Sequence, residues 1–132
     1  MEHLRTLSLI LLSLVLGGCA SMPTANELAS ADYGRYMSQS ECENDVKQVL
    51  ASYLKDPYSA QYRFGQCQKM GMGSAPVLGV PKQYGYSITT FVNAKNSFGG
   101  YTGEVTYIML FKNGQVIRKG RQNNDLGVIL PF

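Results

Sequence analysis

The chain contains no tryptophan, only one histidine (His3), and just 16% charged residues. Histidine supplies most general bases, many nucleophile activators and many zinc ligands. Past residue 3 those constellations have nothing to draw on, so neither a metal nor a cofactor is expected. Charge is also scarce as a recognition signal. Twelve Lys plus Arg stand against nine Asp plus Glu, a formal +3 spread along the chain. Phosphate backbones are gripped by clustered cations, and nucleic acid is therefore not an expected partner. No apolar run approaches the ~20 residues that a membrane-spanning helix requires. With 132 residues there is room for one domain, and the 45% hydrophobic content is that of a chain able to bury a core.

What is present begins at the N-terminus. Arg5 precedes the apolar stretch Leu7 to Leu16, broken only by Ser8 and Ser13, which has the length of a secretory h-region. Leu16-Gly17-Gly18-Cys19 follows. An aliphatic residue, two small residues and a cysteine in this order resemble the lipobox of bacterial lipoproteins. The resemblance implies a signal peptide over residues 1–18, a diacylglycerol thioether on Cys19, and acylation of the new amino terminus. At ~0.8 kcal/mol per buried methylene, more than one acyl chain holds a protein on a bilayer stably. Ala20 stands where aspartate marks inner-membrane retention in such proteins, which implies an outer-membrane lipoprotein facing the periplasm. The competing readings are an ordinary secretory signal followed by a chance cysteine, and a buried core segment.

Residues 19–40 are rich in Ala, Ser and polar side chains and read as a tether, with Tyr33, Tyr36 and Met37 available to dock at its end. Ser40-Glu41-Cys42-Glu43 has the spacing of a capping box. Cys42, Val46, Val49, Leu50, Tyr53 and Leu54 then share one helical face, and Lys55-Asp56-Pro57 stops the helix. Beyond Pro57 the period drops to two. Strands are expected at Ala60 to Phe64, with Gly65 as a bulge before Gln66 to Gln68, at Gln83 to Val92, at Glu104 to Lys112 and at Gln115 to Lys119, with a loop at Met70 to Pro81. Asn113-Gly114 predicts a type I′ hairpin pairing Phe111 with Val116 and Leu110 with Ile117. Leu126 to Phe132 reads as an edge strand or docking tail. The expected architecture is α+β: one amphipathic helix packed on a four-stranded, mostly antiparallel sheet over residues 41–132.

Once Cys19 carries lipid, Cys42 and Cys67 remain, and an oxidising compartment predicts one structural disulfide between them. No C-x-x-C spacing supports a redox role.

The segment Asn93 to Gly103 is chemically denser than a strand connection needs. Asn93, Lys95, Asn96, Phe98 and Tyr101 form a candidate partner-binding loop; the blander reading is a wide turn in which the asparagines satisfy loop amides. Two segments, Asp56-Pro57-Tyr58-Ser59-Ala60 and the VNAKNSFGGYTG run from Val92 to Gly103, resemble an uncharacterised domain of small bacterial secreted and phage-associated proteins, with similarity over residues 46–111. The resemblance implies a shared fold and assigns no activity. Relatives carry Cys-Gly just before the second motif where Thr89 and Thr90 stand here, which implies a different disulfide arrangement in them. The functional expectation is a lipid-anchored periplasmic binding or structural accessory protein of the envelope, not an enzyme, with an envelope protein or glycan as partner. The alternative is an inhibitor or immunity lipoprotein that blocks a cell-wall hydrolase. A carboxylate enzyme acting on peptidoglycan, using Glu104 or Asp56, ranks third.

Overall fold

The structure, a computed structural model, describes residues 19–123 and 128–132. The signal-peptide reading of residues 1–18 and the start of the tail at Leu126 lie outside the described residues. Among the described residues two helices, α1 (Ala25–Ser30) and α2 (Gln39–Ala51), precede six strands: β1 (Gln61–Phe64), β2 (Gln68–Met72), β3 (Gln83–Asn93), β4 (Val105–Lys112), β5 (Gln115–Asn123) and β6 (Val128–Leu130).

All named strand pairs are antiparallel, and the sheet runs β1-β3-β4-β5-β6 with β2 also on β3. β1 and β2 lie end to end along one side of β3, β1 opposite Thr90 to Asn93 and β2 opposite Gln83 to Ser87. The sheet is thus five strands wide, not four. The extra width is β6, the edge-strand option for the tail. Phe132 fulfils the docking option as well, its ring 4.5 Å from Tyr53 and 5.2 Å from Tyr107. The expected loop at Met70 to Pro81 opens as strand, because Gly71 and Gly73 mask an alternation of Met70 and Met72 that pairs with β3.

The helix also starts earlier than expected. Ser38, not Ser40, accepts the Glu41 amide, and Glu41 turns away from the cap to pair with Arg35. At its other end α2 stops at Ala51, short of Lys55-Asp56-Pro57, and Asp56 instead caps the turn Pro57–Ser59. The buried stripe Cys42, Val46 and Leu50 packs on Ile88, Met109 and Phe111 of the sheet. Side chains of this size contribute about 1.5 to 3 kcal/mol each on full burial. Leu110 and Ser87 are buried on the opposite face, outside that cluster.

The disulfide joins Cys42 of α2 to Cys67 in the kink between β1 and β2, with Cα atoms 6.2 Å apart. Gln39 braces the same kink: its Nε2 donates to the Gly65 carbonyl and its Oε1 accepts the Cys67 amide, at 2.9 and 2.8 Å. Cross-linking two residues with a sequence separation of 25 is worth about 3.5 kcal/mol in the chain-entropy account.

The hairpin at Asn113-Gly114 has positive φ at both positions, 53° and 77°, as a type I′ turn requires. Phe111 pairs with Val116 as expected, but Leu110 pairs with Arg118 rather than Ile117, because a bulge shifts the register there. Gln83 Nε2 takes up the Ile117 carbonyl, 3.2 Å away.

Residues 19–38 do not hang free. Ser21 and Ser74 exchange three contacts of 2.9 to 3.3 Å. Glu27 pairs with Lys82, the Arg35 amide donates to Asn113 Oδ1, and Met37 is fully buried in the core. The boundary expected at residue 41 therefore falls inside a packed unit that begins at Ser21. Among the described residues no helix is long and apolar enough to cross a membrane.

Candidate functional site

The loop after β3 is built around Ser59. In the turn after α2, the Ser59 amide donates to Asp56 Oδ1 and its hydroxyl to the Asp56 carbonyl. Across the molecule, the same hydroxyl accepts the Lys95 amide at 2.9 Å, and the Ser59 carbonyl accepts the Tyr101 hydroxyl at 3.0 Å. The two segments that carried the sequence resemblance are therefore one bonded unit. A hydroxyl can accept and donate at once, and a serine at this position uses both capacities.

Within the loop, Asn96 Oδ1 accepts the amides of Phe98 and Gly100, and Asn93 Oδ1 accepts the amide of Gly103. Lys95 and Tyr101 form a bridge, with the ammonium 5.5 Å from the ring centroid. Gly99 and Gly103 hold positive φ, whereas Gly100 does not. Asn93 and Asn96 thus shape the loop, as the blander reading anticipated, and the Tyr101 hydroxyl, expected as a contact, braces it as well. Phe98 does not shape it: the ring is 97% exposed at the apex.

Against this braced loop lies a cleft of about 460 Å³, flanked by Tyr53, Leu54 and Lys55 just past the end of α2 and by Arg121 of β5. Lys95 and Asn96 line it; Asn93, Phe98 and Tyr101 do not. Its charged lining is Lys55, Lys95 and Arg121, with no carboxylate among the described lining residues. Tyr53 and Tyr107 supply aromatic wall, and burial raises the Tyr107 phenol above its ordinary range. Glu104, the nearest acid in sequence, is engaged elsewhere. Arg63 binds it through two nitrogens at 2.9 and 3.2 Å, a hydrogen-bonded pairing that holds the carboxyl below its ordinary value. The same guanidinium stacks over Phe91, 3.8 Å from the centroid. Glu104 and Asp56 are each engaged by a structural partner, Arg63 for Glu104 and the Ser59 amide for Asp56.

Lys55 and Arg121 escaped the sequence reading. Lys55 looked like helix-stop punctuation, and Arg121 lay beyond the expected strand end at Lys119. Cys19, the expected attachment point, is exposed and outside the disulfide.

Compared with known protein families, curated proteins and solved structures, the chain matches none.

Proposed function

We propose that this is a lipid-anchored accessory protein of the bacterial envelope, facing the periplasm from the outer membrane, which works by binding an anionic envelope partner in the cleft beside the Asn93 to Gly103 loop. The lipobox-like Leu16-Gly17-Gly18-Cys19 supports the anchor. The observation that carries the binding reading is the cleft itself: three cationic residues line a concave site whose described lining holds no acid. Fixed positive charge with aromatic wall favours carboxylate or phosphate groups on a protein or glycan. The loop's hydrogen bonds hold that surface in place before a ligand arrives, which lowers the ordering cost of binding.

The test uses the acylated protein in detergent, co-sedimented with purified peptidoglycan sacculi and, separately, used to capture envelope proteins. Lys55→Gln with Arg121→Gln keeps side-chain bulk and removes two of the three charges. Retention is expected to fall at least tenfold in the variant and to weaken with salt in the parent. Equal retention of parent and variant, or no retention of either, rejects the cleft as the site.

Phe98 favours a second reading. A fully exposed aromatic at the apex of a braced loop suits insertion into an enzyme's groove, as an inhibitor or immunity lipoprotein would require. Loss of capture of a single cell-wall hydrolase on Phe98→Ala, with the charge variant unaffected, would favour it.

A further inference from the structure

We infer that the apolar lip formed by Met22, Val77 and Leu78 is a bilayer-seating surface, so that the domain rests directly on the membrane that anchors it. This rests on acylation of Cys19, and adds to it where the domain sits. Three observations lead there. Met22, Val77 and Leu78 are 72%, 86% and 72% exposed, large apolar side chains with nothing over them among the described residues. They belong to one place: Ser21 is bonded to Ser74, a bridge from Ala75 to Val80 closes the turn Pro76–Leu78, and Met22 and Leu78 line one groove. That groove, about 800 Å³, continues the apolar surface through Met70, Met72 and Ile108.

The third observation is chain length. Ser21 is the first residue pinned to the domain, two residues past Cys19. Two residues span at most about 7 Å. A cysteine whose acyl chains lie in the bilayer therefore brings the Ser74 to Leu78 turn to the headgroup boundary, because no slack remains to hold it away. Apolar side chains at that depth lose water to lipid, and a side chain left exposed in solution gains by it. The occupant is thus lipid, and the lip is on the part of the domain that the anchor draws to it.

The protein contains no tryptophan, which makes a clean test available. Val77→Trp, Leu78→Trp and Phe98→Trp are made separately in the acylated protein and reconstituted into phosphatidylcholine vesicles with and without brominated acyl chains. Acylation is verified by intact mass and folding by circular dichroism. Tryptophan at 77 or 78 is expected to emit at shorter wavelength on reconstitution and to lose at least half its intensity to bromine, while tryptophan at 98 keeps its emission. Water-like, unquenched emission at both 77 and 78 in protein of acylated mass overturns the seating and leaves the anchor intact. Protein that carries no acyl mass overturns both. Equal quenching at 78 and 98 also overturns it, since the domain would then have no preferred face.

Discussion

On β3, two residues five positions apart show how differently the same strand constrains its side chains. Thr90 is 1% exposed in the core, and its hydroxyl has no partner among the described residues. A buried hydroxyl without a hydrogen bond has lost water and gained nothing. Thr90→Val keeps the shape and the β-branched fit to the sheet, and is expected to raise stability by about 1 kcal/mol. Gly85 is the opposite case: a Cβ there would collide with the carbonyl of Phe111 on the neighbouring strand. That contact is backbone, which cannot swing aside, so Gly85→Ala is expected to cost about 3 kcal/mol, the upper end for overpacking. Denaturant midpoints of the two variants check both. A destabilised Thr90→Val variant would mean that the hydroxyl is satisfied after all, and a neutral Gly85→Ala that β4 can shift.

At the level of elements, what was legible followed periodicity. The apolar stripe of α2, the alternation of β3 and β4, the Asn113-Gly114 turn and the Cys42–Cys67 pair each rest on a local pattern or on cysteine count, and each is present. What was not legible depends on single long-range contacts. Met37 read only as a residue able to dock, and its full burial rests on long-range packing; the bulge opposite Leu110 leaves no mark in composition. α1 is another such case, since a six-residue helix with no buried residue is held mainly by its ends. Thr24 and Glu27 form its capping box, and Lys82 binds both Glu27 oxygens at 2.8 Å. The Lys82 hydrogen bond and the Thr24 amide together lower the Glu27 carboxyl from 4.5 to about 2. A depressed folded-state value means that the contact contributes fully above pH 4.5 and fades as pH falls toward 2. Amide exchange over Ala25–Ser30, corrected for the intrinsic rate, is expected to quicken across that window. Glu27→Gln should exchange faster at neutral pH and show no such step. A pH-independent parent would show that the pair does not hold α1 down.

For the whole molecule, the two surfaces singled out lie at opposite ends of one strand. β3 begins at Gln83, paired with Met72 beside the Met22, Val77 and Leu78 lip, and ends at Asn93, where the cationic cleft and the Phe98 loop begin. Its 11 residues rise about 35 Å in all. The sequence suggested a tether over residues 19–40. On the proposed seating, the contacts that begin at Ser21 leave no free tether, and the length of the sheet takes its place. Reach then has a fixed value instead of a distribution, because a strand inside a bonded sheet does not contract as a coil does. In the acylated form proposed above, with Cys19 carrying lipid and Cys42 bonded to Cys67, Phe98→Cys gives the one free thiol. A donor dye there, with acceptor lipids in the supporting bilayer, is expected to report a height of about 35 Å, whereas Val77→Cys should read close to the surface. Inserting a ten-residue Gly-Ser spacer after Ala20 should leave acylation and fold unchanged but broaden both heights. Equal heights for the two positions without the spacer would mean that the sheet lies along the membrane, and that the cleft faces its partner sideways rather than from above.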